Sequence, residues 1–154
     1  MNFSIEIPRK ISMAYSKVCK PLCKELGLSQ TAFDIMMFLG NNPKYKTARD
    51  IVEIRHIKAN LVSINVERLV QEGYLIRQAV KDDRRKTELL CTEKAKPMIR
   101  RGQQLQKMFF EKLFAHIDDN MREVFEEVVQ VISENSDEIL EGKESVSYTH
   151  LTLP

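Results

Sequence analysis

At 154 residues, with 43% apolar and 30% charged side chains, the chain suits one globular domain with a core of useful size and excludes a large multidomain enzyme. Five glycines and five prolines are too few for a loop-rich sandwich or a disordered chain, so composition favours helices. The net charge of +2 hides an asymmetry. Residues 1–43 hold five Lys and Arg against three Asp and Glu; residues 44–107 hold sixteen against eight, or +8; residues 108–154 hold three against eleven, or −8. A DNA-facing middle joined to a solvated or partner-facing end has this distribution.

No apolar run approaches the roughly 20 residues that span a bilayer, and the N-terminus lacks the apolar stretch of a secretory signal, so a cytoplasmic protein without a membrane partner is expected. Cys19, Cys23 and Cys91 are odd in number and have no ligand spacing, and His56, His116 and His150 lie far apart. Reduced thiols are expected, with no metal and no cofactor.

Ile11, Tyr15, Val18, Leu22 and Leu26 recur at steps of three and four and predict a first helix ending at Gly27, with a kink or break at Pro21. Ser29 caps a second helix with Phe33, Met36 and Met37 inward, ended by Asn41, Asn42 and Pro43. Thr47 and Asp50 make a capping box for a short third helix, followed by a turn over residues 55–58.

The fourth helix places Ala59, Val62, Val66, Leu69 and Val70 on one stripe and stops at Gly73. Its opposite face carries Asn60, Leu61, Ile64, Glu67, Arg68 and Gln71, with Ser63 on the flank; Lys58 precedes it. Two short helices joined by a tight turn make a helix-turn-helix. Asn60 and Ser63 can bond bases or phosphate, Ile64 can meet a thymine methyl, and the helix N-terminus favours phosphate. The same face also reads as the wet side of a core helix.

Residues 74–80 and 87–92 read as strands around a charged tip of Lys81, Asp82, Asp83, Arg84, Arg85 and Lys86. A basic hairpin tip fits the negative potential of a DNA minor groove. Thr92 is expected to cap a long fifth helix with Met98, Gly102, Leu105, Phe109 and Leu113 on one face. Asp118 or Asp119 caps a sixth with the stripe Met121, Val124, Phe125, Val128, Val131 and Ile132. Both are longer than a winged helix needs for its own core.

Three spacings together resemble the MarR family of winged helix-turn-helix regulators: Asp83-Arg84-Arg85, then Cys91-Thr92-Glu93-Lys94-Ala95, and the L-x-x-x-G-hydrophobic-hydrophobic-x-R run from Leu69 to Arg77. The resemblance covers residues 4–141. It implies a mainly α fold with a small β-hairpin wing: a winged helix-turn-helix lobe (29–92) flanked by dimerisation helices (1–28 and 93–144). It further implies a homodimer that sets two fourth helices in successive major grooves of double-stranded DNA and two wings in the flanking minor grooves. Arg85 is then the groove probe and Asp83 its brace, with Arg84 and Lys86 alongside; repression rests on the resemblance alone. Many members have arginine where Ile64 stands, so the operator does not carry over. Cys91 replaces a common leucine and is expected to be a small buried hydrophobe.

The resemblance also implies a possible small-molecule effector. Tyr15, Met36 and Met37 can line a pocket for it or simply pack the core. Cys19 and Cys23, four residues apart among Lys17, Lys20 and Lys24, are either an oxidant-sensing pair with lowered thiol pKa or two ordinary buried thiols. An enzyme would need a phosphate loop, HExxH, GxSxG or placed carboxylate pair, and none is present. A winged helix that binds only protein remains the alternative. The final SVSYTHLTLP, 145–154, is expected to be a disordered tail of non-native origin.

Overall fold

The computed structural model describes residues 6–81 and 83–142; the 145–154 tail lies outside them. The chain divides into two compact units, Met1–Glu111 and Lys112–Pro154.

In the first unit, helix α1 (Glu6–Leu26) buries Cys19, Leu22 and Cys23. It does not break at Pro21, which lies on the exposed side. The lost hydrogen bond and ring clash cost about 3 kcal/mol in an isolated helix. Here the three buried neighbours, packed with Phe33 and Met37, hold the turns on either side.

Helix α2 (Gln30–Asn41) opens at Ser29, whose Oγ accepts the Ala32 amide at 3.1 Å. Helix α3 (Ala48–Arg55) carries the capping box: Asp50 N donates to Thr47 Oγ1 at 3.1 Å, and Thr47 N donates to Asp50 Oδ2 at 2.8 Å. His56 then takes the left-handed region at φ 51° and turns the chain into α4 (Ala59–Gln71). Val62, Val66 and Leu69 of α4 are buried as its periodicity requires, whereas Ala59 is exposed at the helix start. Gly73, at φ +77°, ends the helix in a conformation that a Cβ would strain.

Strands β1 (Leu75–Val80) and β2 (Asp83–Cys91) pair antiparallel from Leu75↔Cys91 to Ala79↔Thr87, after which Val80 pairs with Asp83. The second strand therefore begins four residues earlier than its composition implied. Residues 84–86 oppose nothing on β1, so the basic cluster forms a bulge within β2 at the register shift between Ala79 and Val80. Helix α5 (Ala95–Leu113) follows. Thr92 does not cap it with its side chain. That hydroxyl donates to Gly73 O at 2.7 Å, fastening the end of β2 to the end of α4, while the Thr92 carbonyl accepts the Ala95 amide.

Two buried clusters fill this unit. One joins α2, α3, α4 and the hairpin through Ile35, Met36, Ile51, Val66, Leu69, Leu75 and Leu89. The other joins α1 to α2. Gly102 lets α5 close on α2: a Cβ there would stand 2.2 Å from Met37 Sδ.

In the second unit, α6 (Asp119–Leu140) starts at Asp118, whose Oδ1 accepts the Met121 amide at 2.9 Å. Arg122 donates to the Phe114 and Ile117 carbonyls, and Phe114 meets Phe125 edge-on at 5.4 Å. The predicted stripe from Met121 to Ile132 is present, but each of its six members is between 40% and 58% exposed.

Candidate nucleic-acid interface

Helix α4 is anchored on two sides. Ser29 Oγ donates to Asn65 Oδ1 at 2.8 Å, and Arg68 donates to Gly27 O at 2.6 Å, so the junction between α1 and α2 is tied to the outer flank of α4. On the wing side, Arg77 of β1 reaches Glu67 of α4 at 2.8 Å, and Gln71 donates to the same carboxylate at 3.1 Å. Arg77 above all holds the Glu67 carboxyl below the usual carboxylate range. Arg68 also bridges Glu72 at 2.8 Å. It remains partly exposed, but its guanidinium already serves as a fastener.

The rest of the outer face is free for a partner. Asn60, Leu61, Ser63 and Ile64 are all exposed, Ile64 at 64%. Lys58, at the N-cap, gives α4 no side-chain cap, and an uncapped start presents its first-turn amides outward. This one end thus combines amide donors, two short polar side chains and two apolar ones.

In the wing, Asp83 Oδ1 accepts the backbone amide of Arg85 at 3.0 Å. The brace therefore acts on the main chain at position 85. Arg85 and Lys86 are exposed; Asp82 and the Arg84 side chain lie outside the described residues. Lys86 also contributes to the field at Asp50. Burial pushes the Asp50 carboxyl up, but hydrogen bonds from Thr47 and Lys46, with the Lys86 charge, outweigh it and hold the group below its usual range. Asn65, Arg77 and Gly27 are the positioning residues that sequence reasoning missed. Only Arg77 carried a signal, the final position of the Leu69 to Arg77 run.

The three residues considered for an effector do not share one site. Met36 is fully buried in the cluster facing α4, whereas Tyr15 and Met37 line a cavity of about 100 Å³ with Asp34, Arg55 and Gln106. Gln106 donates to Tyr15 Oη at 2.9 Å, and burial pushes the Tyr15 phenol up. Burial also raises Asp34, against the hydrogen bond from Gln30 and the charge of Arg55.

Of the two readings of Cys19 and Cys23, the oxidant-sensing pair with thiols lowered by Lys17, Lys20 and Lys24 is not what the structure shows. Cys19 is fully buried and Cys23 nearly so; burial raises both, Cys23 to about 11. The lysines point to solvent, where water screens them. Cys91 is half-buried rather than buried.

Residues 26–86 match the model of the MarR family. No curated protein sequence gives a match. The chain is similar in structure to a MarR family transcriptional regulator from Listeria monocytogenes solved with a 26mer DNA. The TM-score is 0.82 at 17% identity, covering 97% of this chain and all of that one. A SlyA-like transcription regulator from the same organism gives a TM-score of 0.80 at 17% identity over 97% and 100% of the two chains. A MarR transcriptional regulator from Methanosarcina mazei Go1 gives 0.69 at 23% over 88% and 99%. The matched segment spans the helix-turn-helix and the start of the wing, and over nearly all of its length the chain has the winged helix-turn-helix fold of the transcriptional regulators it is similar to.

Proposed function

We propose that the chain binds double-stranded DNA as a homodimeric, ligand-responsive repressor in the cytoplasm. Helix α4 enters the major groove, and the bulge at Arg84, Arg85 and Lys86 enters the flanking minor groove. The observation that carries this reading is the free outer end of α4 beside a wing whose Arg85 is exposed and whose backbone is braced by Asp83. The Listeria neighbour bound to a 26mer DNA supports it.

On this reading the contacts divide by role. The amides at the start of α4, with Lys58, take phosphate and set the register; Asn60 and Ser63 reach base edges, and Ile64 packs on a thymine methyl. Arg85 exploits the stronger potential of a narrow minor groove. The helices α1, α5 and α6 assemble the dimer, leaving 29–92 as the DNA-binding lobe. Exposed apolar residues on all three support this: Met13, Phe110 and the α6 stripe. Two-fold symmetry then requires a pseudo-palindromic operator with half-sites about 10 bp apart, or a multiple of a helical turn.

The test is fluorescence anisotropy on DNA from the promoter beside the gene, over a range of salt. Affinity should fall steeply with salt, and Arg85→Ala should weaken binding about 10-fold or more while lowering the salt slope by about one. Ile64→Ala should change sequence preference and leave the salt slope alone. Absence of salt-dependent binding to any such DNA would overturn the proposal in favour of a protein-binding winged helix.

A further inference from the structure

Helix α4 carries three side chains of base-reading type that are committed to bonds inside the protein. Arg68, the type that pairs with guanine, gives its Nε to Glu72 at 2.8 Å and its Nη2 to the Gly27 carbonyl at 2.6 Å. Glu67, the type that accepts from cytosine, is held by Arg77 at 2.8 Å and by Gln71 at 3.1 Å, and the second bond occupies the Gln71 amide as well. Asn65 is closed in the same way: its Oδ1 accepts from Ser29 at 2.8 Å and its Nδ2 donates to the Leu61 carbonyl at 2.8 Å.

The side chains left free lie in the first two turns, the part of a recognition helix that meets base edges. Asn60 is exposed, and its amide makes no hydrogen bond among the described residues. Leu61 and Ile64 are 42% and 64% exposed. An asparagine amide matches N6 and N7 of adenine, and an apolar side chain matches the thymine methyl. The free set therefore has the chemistry of A·T pairs, while the groups suited to G·C pairs are tied down. The exposed Arg85 of the wing agrees with this, because A·T-rich tracts have the narrow, strongly negative minor groove that attracts arginine.

We propose, on the DNA-binding reading above, that the chain selects an A·T-rich half-site: Asn60 takes adenine, and Leu61 and Ile64 pack on thymine methyls. Phosphate contacts give affinity for any duplex, so the choice of sequence under α4 falls to these three side chains. Guanine is disfavoured by the tie on Arg68. To reach a base, that guanidinium must leave the Gly27 carbonyl, a charge-assisted bond that also holds α4 to the junction of α1 and α2.

The test is selection of duplexes from a random library by the full chain, followed by anisotropy on the selected site with single-atom changes. The half-site should be dominated by A·T pairs. Uracil in place of a contacted thymine removes only the C5 methyl and should weaken binding about threefold or more. Removing the adenine N7 with 7-deazaadenine should cost about fivefold or more at the base read by Asn60. Ile64→Ala should abolish the uracil penalty at one thymine, Asn60→Ala should abolish the 7-deazaadenine penalty, and Arg68→Ala should lower affinity for A·T and G·C versions of the site by the same factor. Asn60 and Ile64 are exposed, so their variants should melt with the parent. A G·C-rich selected half-site, indifference to uracil, or a uracil penalty unchanged in Ile64→Ala would each overturn the A·T assignment while leaving DNA binding intact. Absence of salt-dependent binding to every duplex would instead overturn the DNA-binding reading, and the A·T assignment with it.

Discussion

Helices α4 and α6 are both amphipathic, yet only one finds its partner within its own unit. Val62, Val66 and Leu69 of α4 are buried among Ile35, Ile51 and Leu75, and the helix is fixed by side-chain bonds on both flanks. Helix α6 has no buried residue, and its apolar stripe is about half exposed. The contrast teaches that an apolar stripe promises a partner without saying where the partner is. For α4 it is the lobe; for α6 we propose a second copy of the chain.

The largest expected effect falls on that second partner. Val128→Glu puts a charge in the middle of the α6 stripe, and sedimentation equilibrium should show the dimer lost, with association weakened by about 100-fold or more. A dimer of unchanged strength would remove α6 from the interface and erase the contrast. Inside the lobe, Leu69→Ala should lower unfolding free energy by about 2–5 kcal/mol, read from urea melts, because Leu69 is fully buried. Gly102→Ala should cost less, about 1–3 kcal/mol, since Met37 must move to admit the methyl.

The smallest effect is a pH dependence. Burial lifts Cys23 from 9.0 to about 11, so the folded state favours the neutral thiol. Its contribution is fully present below pH 9 and is lost as pH rises through about 11. Melts of Cys23→Ser should show a smaller decline than the parent, and alkylation of the parent should stay slow at neutral pH. Rapid alkylation there would instead make this thiol the reactive one.

What the sequence made legible was mostly local. Ser29, the Thr47 and Asp50 box, Gly73 and Asp118 act within three or four residues of themselves, and each falls where spacing placed it. The family resemblance added what composition does not hold, the wing and its order in the chain. Contacts distant in sequence were hidden. Arg68 meets Gly27 forty-one residues away, and Thr92 gives its hydroxyl to Gly73 instead of to its own helix. The start of β2 was misplaced because charged residues signal a turn, whereas the Val80↔Asp83 pairing closes the turn before them. Of the kink or break expected at Pro21, the break does not occur, because propensity counts one residue and packing counts its neighbours.

The wing brace has an evolutionary consequence. Asp83 grips the amide of residue 85 and makes no demand on the side chain attached there. On the proposed DNA-binding reading the mount and the tool are thus separable: mutation can exchange the probe while the backbone that carries it is inherited unchanged. Arg85→Lys should keep the bulge geometry and blunt only the recognition, whereas Asp83→Ala should loosen the mount for whatever it carries. A wing built this way can change its DNA preference by single substitutions without having to refold.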